Sequence, residues 1–194
     1  MEKDSSLTAE ESFKLITQII EQKKIEVNEN GFIYLFWGWL IVLASGVHLV
    51  LVLNGYTDYL VWMWGIVTSL GWTYSLFYFL RVRKKSKQSS ILGNILLGLW
   101  GYIGISFLML FIFFNQYITE HTYLILLLLF GLGILVSGLV LQFRPLVYAG
   151  ILCQILSFST FFIPFQYQIS LLIVSQIVGN LIPGYWLRSK YKKS

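Results

Sequence analysis

Arg81-Val-Arg-Lys-Lys-Ser-Lys87 packs five of the chain's fourteen lysines and arginines into seven residues. It lies between two apolar runs, about 59–80 and 91–114. Each run is long enough to cross the hydrocarbon core of a bilayer as a helix, which takes roughly 20 residues. Basic residues beside a span stay on the cytoplasmic side. The stretch therefore fixes one membrane face and sends both neighbouring runs away from it. Working outward, four more runs of the same kind occur at about 32–53, 122–143, 145–163 and 169–187, so that all six hold 19 to 24 residues. The remaining cations then fall on the same face. Lys3, Lys14, Lys23 and Lys24 precede the first span, Arg144 separates the fourth from the fifth, and Arg188, Lys190, Lys192 and Lys193 follow the sixth. The loops at 54–58, 115–121 and 164–168 carry no Lys or Arg. The pattern predicts an all-α polytopic membrane protein, a six-transmembrane-helix bundle with both termini in the cytoplasm.

Composition agrees. The chain is 57% hydrophobic and 12% charged, where a water-soluble domain carries about 25% charged residues. A single cysteine, Cys153, excludes an intrachain disulfide and a cysteine-based metal site. The net charge of +5 reads as a set of topological markers beside spans, not as the footprint of nucleic acid. The first thirty residues are polar and acidic, unlike a secretory leader, so the first span is expected to act as an uncleaved anchor. Three parts follow: a cytoplasmic segment at 1–31, the six-span bundle at 32–187, and a basic tail at 188–194.

Within 1–31, Thr8-Ala-Glu-Glu11 has the spacing of a capping box. Phe13, Ile16, Ile20 and Val27 then share one face at 100° per residue, with Glu10, Lys14, Gln18 and Glu21 opposite. The spacing predicts an amphipathic helix. Seven acids (Glu2, Asp4, Glu10, Glu11, Glu21, Glu26 and Glu29) against four lysines leave this segment at −3. Helices that lie on anionic membranes are basic on their polar face, so an acidic one suits a protein surface better than bare lipid. That surface is either the chain's own basic loop and tail or another cytoplasmic protein.

The spans hold no Asp, Glu, Lys or Arg away from their ends. Ion-coupled transporters and proton pumps normally place such a group near mid-membrane, and hydrolytic or transfer chemistry needs a base or a metal. One ionisable residue enters the bilayer, His48, in the outer third of the first span. With Asp58, Glu120 and His121 on the same side it forms the single candidate metal-ligand set, at spacings that match no metal motif. The alternative is an interfacial histidine hydrogen-bonded to a neighbouring helix. No cofactor is expected.

Polar residues also collect in the last hairpin: Gln154, Ser157 and Thr160 on the fifth span, Gln176 and Asn180 on the sixth. At 1.5 Å per residue, antiparallel helices bring Asn180 to the depth of Gln154 and Gln176 near Ser157. Amides in hydrocarbon need partners. They are expected to bond across the two helices, as packing glue or as the lining of a polar cavity. Pro183 withholds a donor from the Gly179 carbonyl and marks a kink or hinge. Small residues four apart, Gly65/Ser69/Thr73, Gly133/Ser137 and Ala149/Cys153/Ser157, are expected to form seams of close helix contact. Arg81, Arg83, Lys84, Lys85 and Lys87 can also attract anionic lipid head groups.

Glu11-Ser-Phe-Lys-Leu-Ile-Thr-Gln18, Glu29-Asn-Gly-Phe-Ile-Tyr-Leu-Phe-Trp-Gly-Trp-Leu40 and Ile182-Pro-Gly-Tyr-Trp-Leu-Arg188 together resemble a group of small bacterial multi-pass inner-membrane proteins of unknown function. The resemblance implies a bacterial inner-membrane location. Members of that group are often encoded beside small winged-helix transcription regulators, which suits a cytoplasmic helix that docks a soluble protein. It carries over no functional residues. The leading expectation is a non-enzymatic membrane partner or regulatory subunit that engages a protein through its N-terminal helix. The alternative is a small transporter, channel or permease subunit with a polar cavity in helices five and six. A lipid-modifying enzyme built on His48, Asp58, Glu120 and His121 comes third. The expected partners are the lipid bilayer, a cytoplasmic protein and a second copy of the chain (a homo-oligomer), with no direct nucleic-acid contact.

Overall fold

The structure, a computed structural model, describes residues 8, 10, 12–14, 17, 31–85, 91–113 and 121–191. Among them there is helix and no strand. The helices are α1 (Phe32–Leu53), α2 (Leu60–Lys85), α3 (Ile91–Phe113), α4 (Thr122–Val140), α5 (Arg144–Phe158), α6 (Gln168–Gln176) and α7 (Ile182–Tyr191). Short 3-10 turns at Thr57–Tyr59, Ser159–Phe162 and Phe165–Tyr167 join them, and a π turn, Ile177–Leu181, links α6 to α7. Five helical stretches are long and apolar enough to cross a membrane: Phe32–Leu53, Leu92–Leu110, Thr122–Val140, Arg144–Phe162 and Phe165–Ser189. The sixth expected span, α2, is longer still at 26 residues, about 39 Å at the α-helical rise. Its apolar character is diluted by Thr68, Ser69, Thr73 and Ser75 and by indole and phenol groups. It also continues beyond 80 into Arg81–Lys85, because nothing in that basic sequence breaks a helix.

α1 and α2, α3 and α4, and α4 and α5 pack antiparallel, and two apolar clusters mark the two ends of the bundle. At one end Tyr34, Leu141, Phe143, Leu146 and Leu187 pack together with Phe130, Ile134, Ala149 and Cys153 toward the middle. This is the end where Arg81, Arg144 and Arg188 are exposed. At the other, Tyr123, Leu127, Ile169, Leu171 and Leu172 pack with Leu49, Trp64 and Ile163. Apolar side chains elsewhere point outward in quantity: Val50, Trp62, Ile66, Phe77, Tyr102, Ile105, Leu139, Ile155 and Phe162 are all exposed. In water such a surface is an association liability, whereas in lipid it is the ordinary exterior.

The closest helix contact is the α4–α5 hairpin. A Cβ added at Gly150 would stand 2.5 Å from the Leu135 amide nitrogen, and one at Gly138 would stand 2.6 Å from that of Val147. The two backbones therefore touch, as small residues allow in a bilayer. The turn between them closes by a Schellman pattern, Phe143 N–H donating to the Gly138 carbonyl at 2.9 Å and Gln142 N–H to Leu139 at 3.1 Å. Gln142 takes the left-handed conformation this motif needs at φ 50°. Pro145 follows in the first turn of α5, where its missing N–H leaves no helical bond unmade.

Two of the three small-residue seams are buried. Gly133 and Ser137 face α3, with Trp100 and Ile103 against Gly133, and Ala149, Cys153 and Ser157 sit in the core. The third is a correction: Gly65, Ser69 and Thr73 lie exposed on the outside of α2. The helix instead presents Gly71 and Ser75 inward, drawn by Trp37, whose ring occupies the space beside Gly71 and whose indole N–H donates to Ser75 Oγ at 3.0 Å.

Candidate functional site

The polar cluster of the last hairpin divides into two parts. On α5, Gln154 Nε2 donates to the Leu128 carbonyl of α4 at 3.0 Å. Ser157 Oγ donates to the Gln154 carbonyl at 2.6 Å, and Thr160 Oγ1 to that of Ser157 at 2.6 Å. On the last transmembrane segment, Asn180 Nδ2 donates to Gln176 Oε1 at 2.7 Å. The expected bonds between amides of the fifth and sixth spans are thus replaced. Gln154 turns to α4, and Gln176 pairs with Asn180 one helical turn along the same segment. The reason is geometric. Gln154 lies over Gly131, whose absent side chain leaves room for its amide, 3.1 Å from where a Cβ would stand. The next available carbonyl is on α4.

Other residues join α5 to the last segment. Cys153 Sγ lies 3.6 Å from the Ser175 carbonyl. Gln168 Nε2 donates to the carbonyls of Thr160 and Ile163, both at 3.0 Å, and so ties down the chain reversal between the two spans. Gln168, Ser175 and Ser45 are buried polar residues that the sequence reading did not single out. Ser45 Oγ and Gln168 Oε1 are buried without a hydrogen-bond partner. An intramembrane serine at position 45 is a visible signal, but one shared by many harmless serines.

Pro183 is fully buried and stands two residues after the π turn. A proline nitrogen cannot donate to the Gly179 carbonyl, and the helix widens just before that gap, Ile182 N–H reaching back to Ile177. The wide turn fits closely among three helices. Gly38 of α1 lies against Asn180 and Leu181, while Gly179 lies against Phe130 of α4 and Cys153 of α5. Gln176 and Asn180 are each 4% exposed, so the pair is embedded in protein. The arrangement packs the last segment against α1, α4 and α5.

His48 is bonded through both ring nitrogens. The Trp64 indole N–H donates to Nδ1 at 2.9 Å, and Nε2 lies 3.3 Å from the Tyr123 hydroxyl. Indole is a donor only, so Nδ1 must be unprotonated and the ring proton sits on Nε2, facing the Tyr123 oxygen. The ring thereby links α1, α2 and α4. Asp58 and His121 are exposed, and the His121 ring rests against Phe161. Glu120 lies outside the described residues. Among the described residues no three His, Cys, Asp or Glu side chains come together to hold a metal. The interfacial reading of His48 accounts for every contact its nitrogens make.

Of the N-terminal face, Phe13 is 74% exposed. Thr17 Oγ1 donates to its carbonyl at 2.8 Å, a bond of helical spacing. Ile16, Ile20 and Val27 lie outside the described residues, as does Lys87. Gly31 caps α1 in the left-handed conformation, φ 58°, within contact of the Gly184 carbonyl and Leu187. The start of α1 therefore lies against α7, one turn before Arg188. A scan against protein-family models, a search of curated proteins and a search of solved structures each find no match to this chain.

Proposed function

We propose that the chain is a six-span protein of the bacterial inner membrane, with both termini cytoplasmic, that works as a non-enzymatic partner or regulatory subunit. Its N-terminal helix engages a cytoplasmic protein. The observation that carries this reading is the charge distribution: seven of nine acids in residues 1–31, all fourteen cations in segments assigned to the same side, and two acids elsewhere. Exposure of Phe13 supports it, since an apolar residue on an acidic helix needs a surface to cover it.

The sixth span of this reading is α2. Its length supports a full crossing, and so do ties to α1 at both ends: Trp64 to His48 at one, Phe32 against Tyr78 with ring centroids 5.7 Å apart at the other. Without that crossing, the four lysines before the first span would lie on the opposite side from Arg81, Arg144 and Arg188. The transport alternative draws less support. The amides that would line its cavity are taken up by Leu128 and by each other. The likeness to small bacterial inner-membrane proteins suits the same conclusion.

The test is site-specific photo-crosslinking in living cells from a reactive residue placed at Phe13. The expected result is one discrete adduct, identified by mass spectrometry, that disappears when Ile16 and Ile20 are both changed to Asp. Adducts only to lipid, or none, would count against the proposal.

A further inference from the structure

We propose that His48 is a proton-operated latch that holds α2 against α1 and α4 at the end of the bundle away from the arginines. The latch follows from donor and acceptor capacity. The bond from Trp64 exists because Nδ1 of His48 carries no proton. A protonated imidazole is a donor at both nitrogens. The Trp64 N–H would then face another N–H and could only withdraw. The Tyr123 hydroxyl can still accept from Nε2, so protonation releases α2 and leaves α1 joined to α4.

What makes release consequential is the uneven attachment of α2. Toward the arginine end it is held by an aromatic stack: Phe36 with Tyr74 at 4.5 Å, Phe32 with Tyr78 at 5.7 Å and Trp37 with Trp72 at 6.2 Å between ring centroids. The Trp37–Ser75 bond lies in the same half. In the other half, Val61, Trp62, Ile66 and Leu70 are exposed, while Trp64 packs against the far apolar cluster and its indole supplies the polar tie to another helix. Gly71, with the Trp37 ring against it, is the pivot between the two halves. Loss of the latch frees the segment from 60 to about 70 to tilt or rotate about that contact, within the reach of the short 54–59 connection.

Few charged groups compete for control of the ring. From α4 it meets Tyr123, and the residue before that helix is His121, turned to Phe161. The connection into α2 carries Tyr56, Asp58 and Tyr59, all exposed, and Tyr167 stands at the entry to α6. Glu120 lies outside the described residues. On the topology proposed above, this end faces away from the cytoplasm, so the latch reads external protons. The latch itself does not depend on that assignment.

The experiment uses the full chain in lipid nanodiscs, where both faces share one buffer and topology has no influence. Tryptophan is replaced by 5-fluorotryptophan, and the Trp64 resonance is identified by its absence in Trp64→Phe. Spin labels at the exposed Ile66 on α2 and Leu132 on α4 report distance. Going from about pH 8 down to about pH 4, the Trp64 line should shift with a single midpoint. The Ile66–Leu132 distance distribution should broaden with that same midpoint. His48→Gln offers a neutral acceptor to the indole and should hold the high-pH line and distances throughout. An unchanged line or an unchanged distance distribution in the unmodified His48 protein overturns the proposal without any variant. So does an identical response in His48→Gln.

Discussion

Gln176 and Asn180 satisfy each other inside the protein, and that mutual dependence has a measurable signature. Removing one amide leaves the other buried without its partner, which costs on the order of 1–3 kcal/mol. Gln176→Leu and Asn180→Leu should each destabilise the bundle by about that much. The double variant should lose less than the sum of the two. Unfolding in mixed detergent, followed by circular dichroism, checks this, and additive losses would mean that the two side chains have separate partners. Trp100 supplies a second case, donating to Ser137 Oγ at 3.1 Å. Ser137→Ala should destabilise by about 1 kcal/mol, the scale of an interhelical hydrogen bond in a membrane. Residues of this kind are legible in sequence as polar groups needing partners, and their depth follows from counting along the helix. Their direction around the axis does not. Gln154 stands at the depth of Asn180, yet it bonds to α4 because Gly131 leaves an opening there. The Trp64–His48–Tyr123 node joins three helices whose neighbour relations no local pattern encodes.

Among the elements, α4 and α5 form the unit on which the rest is assembled. Their contact rests on Gly138 and Gly150, where neighbouring backbone lies within 2.6 Å of an added Cβ. Gly150→Val must push the helices apart and should lower stability by more than about 2 kcal/mol, in the upper range for overpacking. Retention of wild-type unfolding behaviour in the same detergent titration would contradict this contact. The boundaries of α1 follow directly from its apolar run, and the α4–α5 break follows from Arg144-Pro145. The interior of the last span does not. Pro183 announces an irregularity, but a kink and a π turn remove the same hydrogen bond. The choice depends on how Gly179 and Asn180 fit against Phe130, Cys153 and Gly38, which is tertiary information. The outward Gly65/Ser69/Thr73 stripe teaches the same lesson: small residues permit close packing, and Trp37 decided which face of α2 receives it.

For the whole molecule, the apolar exterior and the sorting of charge act together. Among the described residues, Arg81, Arg144 and Arg188 are exposed at one end of the bundle, and Gly31, at the start of α1, lies at that same end against Gly184 and Leu187. Deleting residues 1–28 should leave insertion and the detergent unfolding curve unchanged within about 0.5 kcal/mol, the usual effect of changes remote from packing features, while abolishing recovery of the partner in a pull-down through a C-terminal tag. The central claim is that α2 crosses the membrane and that every basic segment lies in the cytoplasm. Single cysteines at Tyr56, Ser86, Gln142, Gln166 and Lys192, each in a Cys153→Ala background, test it by labelling intact cells with a membrane-impermeant maleimide. The account predicts immediate labelling at 56 and 166, and labelling at 86, 142 and 192 only after the membrane is opened. Labelling of position 86 in intact cells, or protection of 56 and 166, would contradict it.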